Sequence, residues 1–188
     1  MDFETLLKFL GIAEKLKCNT RHSWTSSGRH ESVAEHSFRL IVFAWLVKEE
    51  FKELDMDKVM KMCIFHDFGE ALTGDIPSFE KQDSDRKKED QAVNQILEVL
   101  PSPYKEELST LFEEMNALET EEAKLYKSLD RFEAVIQHDE ADLSTWLPLE
   151  YELNLTYGEK EAKEFNYTKE LHAYMQEITK EKIRKGKA

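Results

Sequence analysis

The chain has 188 residues, 40% hydrophobic, 11% aromatic and 35% charged, which supplies core material for one domain and carries too much charge for a membrane protein. Its 39 acidic against 26 basic residues give a formal charge of −13, arguing against duplex nucleic acid as a partner, because that binding relies on clustered Lys and Arg. Cys18 and Cys63 lack the spacing of a zinc ribbon or disulfide framework, no apolar run approaches the ~20 residues of a membrane span, and Asp2 and Glu4 stand where a signal peptide carries positive charge, so a cytoplasmic protein with no membrane partner is expected.

Apolar spacing is helical nearly throughout, with only 6 Gly and 4 Pro. Phe3, Leu6, Leu7, Leu10, Ala13 and Leu16 predict a first amphipathic helix, and the polar stretch Cys18 to Glu31 reads as a loop. Ser32-Val33-Ala34-Glu35 is a capping box that opens a second helix through Val47 towards Glu53. That helix is apolar on nearly all sides from Leu40 to Val47, the mark of a central buried element. Asp57 can cap a third helix carrying Val59, Met62, Cys63 and Ile64, with Gly74 ending it after Thr73, and Asp75–Asp83 is a loop. Helices are expected from about Asp85 to Leu100, ended by Pro101 and Pro103, then around Tyr104 to Met115, then from Thr120 through Ile136. The pattern breaks at Trp146-Leu147-Pro148, and a last helix covers roughly Tyr167 to Arg184. Lys180, Lys182, Arg184, Lys185 and Lys187 compensate its C-terminal charge. The expected fold is all-α, one domain over residues 1–188, with a core of about 3–142 and a helical extension of about 143–188.

Two histidines are followed directly by Asp. His138-Asp139 lies in the polar string QHDEAD and reads as a surface coincidence, whereas His66-Asp67 lies in MCIFHDFGEALTGD between Cys63, Ile64, Phe65 and Phe68. Burying two ionisable groups costs several kcal/mol unless they are paired or bind a metal. His36 lies one turn into the second helix, and Asp130 lies between core positions Leu129 and Phe132. Two imidazoles and two carboxylates form a mixed N/O donor set for a divalent ion, with positions left for water or phosphate oxygens. Glu70, four residues after His66, is placed to accept a proton from a metal-activated water, and Gly69 fits either a close approach to the backbone or helix packing. Arg21 offers bidentate donors to phosphate, and Trp24 serves equally as a nucleoside wall or a hydrophobic plug. Arg29 reads as a surface residue and Lys127 as a salt-bridge partner of Asp130.

His36, His66-Asp67 and Asp130 together resemble the H…HD…D signature of HD-domain metal-dependent phosphohydrolases. The strings RHSW, HESVAEHS, FHDFGEALTGDIP and KSLDRFEA resemble the 5′-deoxynucleotidase branch. The resemblance covers roughly Phe3 to Asp142 and implies an HD-type helical bundle, a homodimer, and a cobalt, manganese or magnesium type ion. The implied activity is removal of the 5′-phosphate from deoxynucleoside monophosphates. It also implies His36, His66, Asp67 and Asp130 as metal ligands, Glu70 and Asp75 as catalytic residues, and Arg21 and Trp24 as substrate-binding residues. Alternatives are another HD phosphohydrolase, acting as a phosphodiesterase or nucleoside triphosphatase, and a non-catalytic regulatory protein that keeps the metal site. The hydrolases of guanosine tetraphosphate typically show HDxxED, where this chain has Ala71 after Glu70.

Overall fold

Side-chain caps fix the start of four of the helices. The computed structural model describes residues 1–186, so Lys187 lies outside the described residues. Asp2 caps α1 (Phe3–Cys18) by accepting from the Thr5 backbone N–H. Both halves of the Ser32/Glu35 capping box form at the start of α2 (Val33–Val47). The residues between α1 and α2 are not a loop, as their polarity suggests, but a hairpin. In it β1 (Thr20–Trp24) pairs antiparallel with β2 (His30–Ser32), and Gly28 sits in the turn at φ 82°. Period-two burial is obscured because Arg21 and His22 face a cavity of the protein rather than an apolar core.

The third helix departs from expectation in two ways. Asp55 caps α3 (Met56–Phe65) by accepting from the Lys58 N–H, with Asp57 inside the first turn. The helix then stops at Phe65, and a turn at residues 66–69 precedes the one-turn α4 (Glu70–Thr73), which Gly74 ends at φ 75°. Gly69 answers to packing: a Cβ there would lie 3.1 Å from Val93 Cγ2 and 3.2 Å from the Glu89 carbonyl on α5 (Asp83–Leu97). α5 begins and ends a little before its predicted limits. α6 (Tyr104–Ala117) and α7 (Glu121–Glu140, capped by Thr120) follow as read.

The segment after Asp142 holds two short helices that periodicity did not reveal, α8 (Glu150–Thr156) and α9 (Glu159–Ala162), before the long α10 (Asn166–Gly186). Gly158, at φ 78°, joins α8 to α9 where a Cβ would lie 3.1 Å from both Arg131 and Phe132, so this crossing of α7 demands glycine. Phe132, Val135, Ala162 and Met175 tie the segment to α7. The main core joins α2, α3 and α7 through Leu40, Ala44, Met62, Cys63, Leu125 and Leu129. A smaller cluster of Leu16, Phe68, Ala71 and Ile96 fastens α1 and α4 against α5. α2 is not buried all round: Phe38, Trp45 and Leu46 are exposed, as are Phe3, Leu7 and Leu10 on α1.

Candidate metal centre and cavity

Three elements bring four donor atoms to one point. His36 comes from the first turn of α2, His66 and Asp67 from the break after α3, and Asp130 from the middle of α7. His66 Nε2 lies 3.0 Å from Asp67 Oδ2 and 3.6 Å from Asp130 Oδ1. His36 Nε2 lies 3.2 Å from Asp130 Oδ1, 3.3 Å from His66 Nε2 and 3.9 Å from Asp67 Oδ2. The helix break permits this arrangement, because adjacent residues on a regular helix do not face each other.

The partners on the far side of each ring fix its tautomer. His66 Nδ1 donates to the Cys63 carbonyl at 3.0 Å, and His36 Nδ1 donates to the buried Glu133 carboxylate. Both Nε2 atoms therefore present lone pairs to each other and to two carboxylate oxygens. Four acceptors facing inward with no proton between neutral rings fit a divalent cation, and histidines backed by a carboxylate and a carbonyl are the usual support of such a site. Without a cation the protons must come from elsewhere. Burial opposes a charged His66, yet Asp67 and Asp130 outweigh it and push its pKa up to about 10. A bound cation supplies that positive charge itself.

Beside the quartet opens a cavity of about 510 Å³, within the size range of small-molecule sites. Arg21, Asp67, Glu70, Asp75, Lys127 and Asp130 line it at the metal end. Arg21 reaches Asp67 Oδ2 at 3.2 Å and Glu31 at 3.4 Å, and Lys127 reaches Asp130 Oδ2 at 2.8 Å, the salt bridge expected of it. These cations concentrate positive charge in an acidic chain. Glu70 is 5% exposed, and its Oε2 has no hydrogen-bond partner among the described residues. Burial, reinforced by Asp67 and Asp75, pushes Glu70 up to about 9, and burial likewise raises Asp75.

Of the residues singled out in sequence, Arg21, Asp67, Glu70, Asp75 and Asp130 line this cavity, His36 and His66 lie behind Asp67 and Asp130 at the quartet, and Trp24 does not line it. Trp24 is absent from the cavity lining. Its ring packs on His30 with centroids 4.1 Å apart, and its carbonyl accepts from Gln137 at 2.8 Å. Arg29 lies on the surface against Glu35, as read. His138 is not a surface residue: it lines the cavity 3.4 Å from Glu150, which also holds His22 at 2.9 Å. Sequence reasoning missed Glu133 too, although a carboxylate flanked by Phe132, Ala134 and Val135 one turn after Asp130 is the same signal that exposed Asp130. Glu150 and Asn154 carried no comparable signal.

The model of the HD domain family matches residues 13–172. A human protein named 5′-deoxynucleotidase HDDC2 is 32% identical over 140 residues, 72% of this chain and 68% of its own length. A Schizosaccharomyces pombe protein named 5′-deoxynucleotidase hdd1 is 27% identical over 175 residues, 89% of this chain and 82% of its own. A solved structure from Magnetospirillum magnetotacticum, described as a predicted metal-dependent phosphohydrolase, superposes with a TM-score of 0.80 at 27% identity, covering 97% of this chain and 96% of that one.

Proposed function

The chain belongs to the HD domain family, and we propose that it is a metal-dependent phosphomonoesterase that removes the 5′-phosphate from deoxynucleoside 5′-monophosphates. The carrying observation is the convergence of His36, His66, Asp67 and Asp130 beside a cavity that also holds Arg21 and Lys127. The names of the human and fission-yeast relatives support the deoxynucleotide substrate.

The four residues would hold a divalent ion, and their two imidazoles suit cobalt or manganese better than magnesium. Such an ion supplies Lewis acidity to water and to phosphate oxygens. Arg21 and Lys127 bind and orient the phosphate. Glu70 lies buried beside the quartet with an unpartnered Oε2, and in its ionised form, which a cation at the quartet would favour, it would take the proton as the water oxygen attacks phosphorus and the P–O5′ bond breaks. Asp75, which lines the same cavity, is placed to pass a proton to the leaving 5′-oxygen.

The test is phosphate release from deoxy- and ribonucleoside 5′-monophosphates, using chelator-stripped protein reloaded with cobalt, manganese or magnesium. Metal-dependent release favouring the deoxy series is expected. Release only from di-, tri- or cyclic nucleotides would assign a different HD phosphohydrolase activity, and no release from any nucleotide would sink the enzyme reading.

We also place the protein in the cytoplasm: Cys18 and Cys63 are both free thiols, and no described helix is long and apolar enough to cross a membrane. We treat residues 143–186 as part of the same domain, since α8 and α9 wall the cavity. The exposed apolar residues Phe38, Val42, Trp45 and Leu46 of α2 suit a second copy of the chain, because exposed apolar patches mark interaction sites. Light scattering should show a dimer that Trp45→Glu converts to monomer, and a monomeric native protein would refute it.

A further inference from the structure

The cavity has a second end, and α7 measures the distance to it. Asp130, Arg131, Ala134, Val135 and His138 all line the cavity, and eight residues of helix rise about 12 Å. The floor thus passes from metal ligand and cation, over two small apolar side chains, to an imidazole. That span suits a phosphate at one end and the body of a nucleotide along the rest.

α8 forms the facing wall and runs antiparallel to α7. Its first residue, Glu150, meets His138 at 3.4 Å, and Tyr157, just past its end, lies under Arg131 with the guanidinium carbon 4.6 Å from the ring centre. Asn154 lies between them, one turn after Glu150 on the same face. It lines the cavity, is 4% exposed, and its Nδ2 is buried with no hydrogen-bond partner among the described residues. Buried amide nitrogens are nearly always satisfied, and one that is not asks for a ligand. His22 lines the same cavity, its ring held by Glu150, one turn before Asn154, at 2.9 Å and set edge-on to Phe79 at 5.6 Å between centroids. A fixed aromatic ring beside an unpaired amide has the chemistry that recognises a nucleobase, by its face and by its edge.

We propose that Asn154 binds the nucleobase of the substrate, hydrogen-bonding its edge while His22 flanks its face, so that α8 sets base selectivity. The proposal rests on the phosphomonoesterase reading and adds a specificity residue to it. Asn154 Nδ2 has no hydrogen-bond partner among the described residues, so replacing that amide nitrogen removes no internal hydrogen bond of its own.

The experiment compares the native protein with Asn154→Ala and Asn154→Asp on the four common deoxynucleoside 5′-monophosphates and on 2-deoxyribose 5-phosphate, which has no base. Thermal melts serve as the check on folding. Loss of one hydrogen bond to the base should lower the kcat/KM ratio of nucleotide over base-free substrate about tenfold, mainly through KM. Both variants should lose it, and Asn154→Asp should also reorder the four bases. If both substrate types fall together, or neither falls, the proposal is overturned. If the native protein releases phosphate from nothing, the activity reading fails separately and calorimetry with the four deoxynucleosides decides. Binding weakened by Asn154→Ala keeps the base site, and binding that is absent or unchanged removes it.

Discussion

The same dipeptide occurs twice in this chain with two different fates. At His66-Asp67 the backbone has just left α3, and the two side chains converge with Nε2 and Oδ2 3.0 Å apart. At His138-Asp139 the backbone stays inside α7, and neighbours on a helix diverge by about 100°. His138 therefore faces the cavity, while Asp139 turns away to accept from Thr179 of α10 at 2.8 Å. In this chain the two side chains of the dipeptide meet where the helix ends and part where it continues. The chemistry lies in the break at residues 66–69 as much as in the residue types.

The sharpest way to break that comparison is to delete each aspartate in turn. Asp67→Ala should lose the bound metal and lower phosphate release by roughly three orders of magnitude or more, since both ion and water activation go with it. Asp139→Ala should keep full metal content, measured by elemental analysis, and near-native turnover. Its cost should be about 1 kcal/mol of stability from the lost Thr179 hydrogen bond. Equal metal loss in both variants would refute the distinction. Glu70→Gln comes next: metal should be retained while turnover falls roughly 10²- to 10⁴-fold, the usual worth of a general base. Loss of metal in this variant would make Glu70 a ligand instead.

Smaller still is the effect expected from the support behind His36. Glu133→Ala should weaken metal affinity by about 10- to 100-fold in a competition titration with a chelator, because the Nδ1 partner fixes the tautomer. Glu133→Gln should lose less, as its amide oxygen still accepts. An unchanged affinity for both would mean that packing alone orients the ring.

These residues also show what the sequence makes legible. His36, His66, Asp67 and Asp130 stand out because charge and imidazole interrupt apolar helical stretches, a local signal that survives without coordinates. The hairpin is hidden because Arg21 and His22 point into a polar cavity, which in sequence looks like solvent. Asn154 and Glu150 are hidden for the opposite reason, since a seven-residue helix is too short to show a period. The caps give helix starts to within a few residues, as at Ser32 and Thr120. The break after Phe65 has no glycine or proline to announce it until Gly69.

The smallest expected effect is one of pH, and it separates the two aspartates by sign. Burial raises the Asp139 carboxyl above its ordinary value of 3.8, against the opposing pull of the Thr179 hydrogen bond and Lys182. Between 3.8 and its raised folded value the native state binds more protons than the unfolded chain, so this group's contribution to stability falls as pH rises through that window. Asp139→Asn keeps a side-chain oxygen for Thr179 and has no proton to lose. Relative to the native protein it should therefore gain stability as pH rises from 3.8 through the raised folded value, by less than about 1 kcal/mol in urea unfolding. Asp67 is held the other way, below 3.8: burial opposes its ionised form, and His66 and Arg21 overcome that opposition. Protonating it as pH falls removes a favourable charge from the metal quartet. A variant difference at Asp139 that shrank with rising pH would mean that its carboxylate, like that of Asp67, is stabilised in the fold, and the contrast between the two dipeptides would reduce to geometry alone.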